Sequence, residues 1–215
     1  MTRMRFVLAS ASPRRAELLR RAGLEFEVMP AKVDEAMDVE ETPDGYVRRV
    51  AQLKAEAVAP RAPGRVVLGA DTIVVVDHDV LGKPADADDA RRMLRRLSGR
   101  EHVVMTAVCL INPGPAAFDS AQAGEAGRYE GAREGASKRF QTHVARTTVE
   151  FAPLSAAEID WYIATGEPLD KAGAYAVQGL ASRFVTRVDG SYSNVVGLPV
   201  AVVYDLCRGA GLLVS

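Results

Sequence analysis

The run Val66-Val67-Leu68-Gly69-Ala70-Asp71-Thr72-Ile73-Val74-Val75-Val76 constrains this chain more than any other segment. A long apolar stretch dominated by valine reads as a central β-strand. One carboxylate stands in its middle, where a charge is costly unless something pairs with it. Gly69 and Ala70, just before it, leave room for a ligand or another backbone to approach. Asp71 is therefore either half of a structural salt bridge or a metal ligand or general base, because perturbed carboxylates gather at active sites.

Strands and helices alternate around this run. Arg5–Ala9 reads as a strand and Pro13–Ala22 as a helix closed by Gly23, with Leu18, Leu19 and Ala22 as its apolar face. Phe26–Met29 is a short strand, and Thr42-Pro43 opens a helix to about Val58. Asp77-His78-Asp79 turns the central strand into Val80-Leu81. Asp86–Leu97 is a helix, with Ala90, Met93, Leu94 and Leu97 on one face, aspartates in the first turn and Gly99 after it. His102–Ile111 and Val144–Phe151 are strands, and Ser155 with Glu158 forms a capping box ahead of Ile159, Tyr162 and Ile163. Arg183–Val188 is a strand, and Pro199–Leu206 reads as a buried final helix. The pattern predicts an α/β fold without internal repeats. Pro113 to Gln141 differs: rich in Gly, Ala, Ser and charge, it reads as a mobile insertion between two strands.

The first strand ends in Ser10-Ala11-Ser12-Pro13-Arg14-Arg15. Ser12 suits the N-cap and Pro13 the first helical position, where its missing N–H costs nothing. Free backbone N–H groups, serine hydroxyls and two cations then meet at one helix N-terminus. Such a start is either a site for an anion, phosphate above all, or a solvated turn with two surface arginines. Lys54 shares a helix face with Val47, Val50 and Val58, so it either snorkels to an edge or points into a cleft. Lys83, between Gly82 and Pro84, is a positioned cation or part of an ordinary turn. Asp34 and Glu35 offer oxygen ligands suited to a hard cation, though acidic loops also serve solvation alone. His78, His102 and His143 lack metal-ligand spacing. Two polar turns, Asp170–Gly179 and Asp189–Asn194, interleave small residues with Asp, Lys, Tyr, Gln and Asn.

Charge and cysteine content narrow the class. Lys+Arg 27 against Asp+Glu 28 gives a net charge of −1 over 215 residues, without the basic excess of a general nucleic-acid binder. With 48% hydrophobic residues the chain can build a substantial core in one large domain or two small lobes around a cleft. Cys109 and Cys207 are too far apart for a metal knuckle and lie in apolar runs, which suits reduced thiols in the cytoplasm. No stretch is long enough to span a membrane, and Phe6–Ala9 is too short for a signal-peptide core.

Taken in order, Leu8–Arg15, Gly69–Thr72, Gly82–Pro84, Ser98–Thr106, Glu167–Tyr175 and Ser191–Pro199 resemble the Maf family of nucleoside triphosphate pyrophosphatases over nearly the whole chain outside the 113–141 segment. The Asp170–Tyr175 piece and Gln178-Gly179 are similar to the branch that prefers dTTP and UTP, as against the sister branch acting on 7-methyl-GTP. The resemblance implies a mixed, twisted sheet with flanking helices, two lobes around a deep cleft, a homodimer, a divalent cation (Mg²⁺ or Mn²⁺), and hydrolysis between the α and β phosphates. It implies phosphate binding by Ser10, Ser12, Arg14 and Arg15, and charge neutralisation by Lys54 and Lys83. Glu35 and Asp71 would hold the metal, with Asp71 also the base, two roles that compete. Gln178 would read the pyrimidine, since an amide matches a ring N–H flanked by carbonyls. Thr72, and Arg14 in a second role, are implied as specificity residues. A nucleotide-binding regulator with incidental catalysis is the other class, but it would need the phosphate-gripping cations without Asp71 and Glu35 together.

Overall fold

A computed structural model describes residues 6–113 and 139–212. Its centre is a seven-stranded mixed sheet in the order β2-β1-β3-β5-β6-β7, with β4 paired to β3. The strands are β1 (Phe6–Leu8), β2 (Phe26–Val28), β3 (Val67–Val76), β4 (Asp79–Leu81), β5 (Glu101–Asn112), β6 (Arg139–Phe151) and β7 (Val185–Asp189). The helices are α1 (Pro13–Arg21), α2 (Pro43–Val58), α3 (Ala87–Leu97), α4 (Ala156–Ala164), α5 (Tyr192–Val196) and α6 (Val200–Gly209). β1 runs parallel to β2 and β3, and every other pairing is antiparallel.

The pairing of β3 positions the site. β5 follows one edge of β3 from Val67 to Val75. On the other edge, β1 pairs only at Val67 and Leu68, and β4 only from Val74 onward. The edge between them, around Asp71, has no strand partner. This gap lies beyond the carboxyl end of β1, where the chain leaves for α1, the place where α/β sheets open crevices for ligands. The core divides at the same point. Leu68 and Ala70 pack with α1 and α6, whereas Val74 and Val76 on the same face pack with α3 and α4. The opposite face of β3 carries α2 through Val47, Ala51, Ala55 and Val58.

α2 lies unusually close to the strand. A Cβ built on Gly69 would stand 2.2 Å from the Ala51 carbonyl oxygen and 2.7 Å from the Ala55 nitrogen. Only glycine permits that approach, and it sets the height of Lys54, which lies between those two residues in sequence. The helix starts as the sequence predicts, with Thr42 accepting from the Gly45 N–H at 3.2 Å and Pro43 at the first position.

Four expectations need correction. β6 begins at Arg139, so residues 139–141 are paired with β5 and do not belong to an insertion; 114–138 lie outside the described residues. The strand signal is hidden because Arg139–Thr142 lacks the alternation visible from Val144 onward. Ser191–Asn194 does more than turn: Ser191 accepts from the Asn194 N–H at 3.3 Å and opens the short helix α5. Among its residues α6 buries only Val203 and Cys207, so it is a surface helix with one apolar face. Ser12 does stand at the N-cap with Pro13 first in the helix, but its hydroxyl makes no capping bond; Ser10 Oγ accepts from the Ser12 N–H at 3.2 Å instead.

His102 has a structural place, buried beside Tyr175, its Nε2 2.8 Å from the tyrosine hydroxyl and its ring edge-on to Phe151. Burial pulls its pKa down to about 4. The folded protein thus holds a neutral imidazole down to about pH 4, while the unfolded chain takes up a proton below about pH 6.5. Stability therefore falls as pH drops through that window, by about 2 kcal/mol at pH 5 from this group. Urea unfolding at pH 7 and pH 5 should show that extra loss in the parent and not in His102→Gln. Parallel losses in both proteins would assign the pH dependence to other groups.

Candidate active site

The gap on β3 opens into a cleft of about 630 Å³. Its walls include Ser10–Arg15, Glu35, Tyr46, Lys54, Asp71, Thr72, Lys83 and the 170–178 segment through Gln178. Every site residue that the family resemblance implies lines this one cleft, although they come from six separate stretches of the chain.

Lys54 is the centre of the charge arrangement. Its Nζ lies 2.8 Å from Asp71 Oδ1 and 3.0 Å from Glu35 Oε1. The lysine and Asp71 side chains are only 11% and 8% exposed, whereas Glu35 is 52% exposed. Asp71 thus gains the buried ion pair that its position demands, and Glu35 closes the pair from the solvent side. Tyr46, two turns before Lys54 on α2, donates to the Glu35 carbonyl at 2.9 Å and holds that loop in place. Burial first, then the neighbouring Asp71 and Glu35 charges, push its phenol up to about 12. Sequence reasoning missed Tyr46. The available signal was its i, i+4, i+8 spacing with Val50 and Lys54.

Two carboxylates converging on one ammonium fit a divalent cation of the Mg²⁺ kind. Such an ion is held by one or two carboxylates and completes its shell with water and substrate phosphate oxygens. Among the described residues there is no group of three or more His, Cys, Asp or Glu that would make a closed protein cage. Glu35 and Asp71 are the carboxylates at its floor, while Asp170, which also lines the cleft, is paired with Arg14 and Lys171.

The two arginines at the start of α1 have different places. Arg15 is buried, and four of its N–H donors are taken: Nε by the Gly197 carbonyl at 2.8 Å, Nη1 by Ser10 Oγ at 3.1 Å and the Ala70 carbonyl at 2.8 Å, and Nη2 by Thr72 Oγ1 at 3.0 Å. It thereby satisfies the Ala70 carbonyl on the β3 edge where no strand pairs, and ties β1, β3 and α5 together. Burial draws its pKa below the usual arginine value, against the opposing pull of Asp71 and Glu35. Thr72 is held in the same network, donating to the Gly197 carbonyl at 3.2 Å and lying 3.0 Å from Thr106 Oγ1. Arg14 is the looser cation: it reaches across the cleft to Asp170 at 3.5 Å, with its side chain 34% exposed. Ser12, half-buried and without a capping bond, faces the cleft beside it.

The opposite wall is set by Gly173. Its N–H donates to the Gly82 carbonyl at 3.0 Å, and a Cβ on it would meet Val74 Cγ2 at 2.8 Å. With φ of +69° and no side chain, Gly173 lets the 170–178 segment lie directly on the β3–β4 end. This contact brings exposed Lys83 and Gln178 to the same cleft as Asp71.

The architecture is a mixed α/β sheet with a cleft at the end of its parallel strands, lined by cations and floored by a Lys-bridged pair of carboxylates. The Maf-like protein family model matches residues 5–210, and the chain belongs to that family. It is 52% identical over 207 residues to a dTTP/UTP pyrophosphatase of Anaeromyxobacter dehalogenans, covering 96% of this chain and 94% of the relative. It is 49% identical over 210 residues to a dTTP/UTP pyrophosphatase of Koribacter versatilis, covering 98% and 96%. Among solved structures, the Staphylococcus aureus Ham1 protein aligns over 95% of this chain and 98% of its own with a TM-score of 0.51 at 12% identity, a likeness of fold. Among the described residues, no helix is long and apolar enough to cross a membrane.

Proposed function

We propose that this chain is a nucleoside triphosphate pyrophosphatase that hydrolyses dTTP and UTP to the monophosphate and pyrophosphate. The observation that carries this reading is the Asp71–Lys54–Glu35 bridge at the floor of a cleft lined by Ser10, Ser12, Arg14 and Lys83. The names of the relatives at about half identity point the same way.

In this reading the start of α1, with Ser10, Ser12 and Arg14, binds the triphosphate, and Arg15 keeps that turn in shape. Asp71, held in place by its 2.8 Å contact with Lys54, takes the proton of the attacking water. Glu35, with Asp71, would hold a Mg²⁺ or Mn²⁺ ion, which would supply Lewis acidity and charge neutralisation when bound. Lys54 and Lys83 place positive charge where negative charge develops on the leaving pyrophosphate. Gln178 reads the pyrimidine edge, with Thr72 and Arg14 limiting the space for the base. A homodimer acting in the cytoplasm belongs to the same reading, supported by the family and by two buried, free cysteines of the kind found in reducing compartments.

A panel of dTTP, UTP, CTP, GTP and 7-methyl-GTP, with products separated by ion exchange, tests the proposal. Expected are dTMP and pyrophosphate from dTTP, a preference for dTTP and UTP, and arrest by EDTA. A preference for 7-methyl-GTP would move the chain to the sister branch. Tight nucleotide binding without turnover would favour a regulator.

A further inference from the structure

We propose that Tyr162 and Glu167 form a clamp that positions Gln178 and so sets base selectivity from outside the cleft. The inference rests on the reading of Gln178 as the base-recognising residue. Tyr162, near the end of α4, is fully buried. Its hydroxyl donates to Glu167 Oε1 at 2.8 Å and accepts from the Ala176 N–H at 3.2 Å. Glu167 then takes the other end of the same segment: Oε2 accepts from the Leu180 N–H at 3.1 Å, and Oε1 from the Ala181 N–H at 3.4 Å. Gly179 lies against the carboxylate, so closely that a Cβ there would stand 2.2 Å from Oε2. The Glu167 backbone carbonyl also accepts from Lys171 Nζ at 2.9 Å.

One Tyr–Glu pair thus ties both ends of the 176–181 segment, and Gln178 lies between the ties. Ala176 and Gln178 line the cleft, while Tyr162 and Glu167 do not. They can act on a nucleotide only through the segment they hold, which makes them positioning residues. The chemistry calls for a carboxylate. Both oxygens of Glu167 face donors, and a glutamine would turn one acceptor into a donor opposite an N–H. Loosening the clamp lets the Gln178 amide leave the orientation that matches a pyrimidine, and hydrogen-bonded readout loses selectivity steeply when a partner is misplaced. A purely structural anchor would lower turnover of all nucleotides alike.

The test compares the parent, Glu167→Gln, Gln178→Ala and the double variant, assayed with dTTP and GTP below the thermal midpoint of each protein. Glu167→Gln should lower the dTTP/GTP ratio of kcat/KM on the order of tenfold, through KM for dTTP, with kcat changed by no more than about threefold. In the Gln178→Ala background Glu167→Gln should lower the ratio no further, since both changes act on one contact. Tyr162→Phe keeps the ring and removes both hydroxyl bonds. It should flatten the ratio in the same way, and it carries the test if Glu167→Gln does not fold. A parental ratio in Glu167→Gln or Tyr162→Phe, alongside a flattened ratio in Gln178→Ala, would overturn the clamp and spare the base-reader reading. Equal losses for dTTP and GTP would also overturn the clamp. An unchanged ratio in Gln178→Ala would overturn the base-reader reading and the clamp with it.

Discussion

Asp71→Asn will lower kcat for dTTP by about 100-fold or more, with nucleotide affinity held within a few-fold. Asparagine keeps the size of the side chain and removes both the charge and the proton acceptor. Lys54 retains Glu35 at 3.0 Å, so the ammonium is not left alone in the cleft floor. The triphosphate grips at the start of α1 are untouched, Glu35 remains to hold the cation, and loss of one negative charge in the cleft does not by itself weaken the binding of an anion. Single-turnover rates with dTTP, together with the Kd of a non-hydrolysable dTTP analogue, separate the two quantities. A structural salt bridge would behave differently: the variant would melt earlier, yet its folded fraction would turn over dTTP at the parental rate. That outcome would remove Asp71 from the chemistry.

Gly69→Ala should be the most damaging small substitution in the core. The added methyl meets two backbone atoms of α2, at 2.2 and 2.7 Å, and neither can rotate away. The helix must lift off the strand, at a cost of about 3 kcal/mol or more. For a chain of this size that lowers Tm by roughly 10 °C. The same shift draws Lys54 away from Asp71, so activity should fall further than stability when measured well below Tm. Calorimetry and dTTP turnover at about 20 °C on the same preparation report both, far enough below the usual range of thermal midpoints for the folded state to dominate. A parental Tm in the Gly69→Ala variant would mean that α2 has slack the packing does not show. Parental turnover in a destabilised protein would mean that the Lys54–Asp71 spacing is unimportant.

The sequence exposed individual oddities and left their partners hidden. Asp71 stood out because a carboxylate in a valine-rich strand violates the apolar pattern, and the structure places that carboxylate in the cleft. Its partner could not be read. The spacing of Lys54 on α2 gives a helix face, but which strand the face meets depends on Gly69, a residue that signals through an absent side chain. Periodicity placed α2 and α3 closely because long amphipathic helices carry strong signals. It failed at Arg139–Thr142, where pairing with β5 creates a strand that the local pattern does not announce, and at α5, too short for a helical period. Arg15 shows the limit of motif reasoning. Two adjacent arginines look equivalent in the chain, yet successive residues on a helix point about 100° apart. One turns inward to bond Ser10, Ala70, Thr72 and Gly197, and the other turns to the cleft. Glu167 was legible only as part of a resemblance, because its contacts at Leu180 and Ala181 are made by folding.

Water activated by Asp71 attacks the α-phosphorus and expels pyrophosphate in the proposed reaction. Hydrolysis of dTTP in oxygen-18 water, with products read by mass spectrometry and phosphorus NMR, tests this directly. The predicted result is one heavy oxygen in dTMP and none in pyrophosphate. Label in pyrophosphate would place the attack on the β-phosphorus, and dTDP with labelled orthophosphate would place it on the γ-phosphorus; either result would contradict the account.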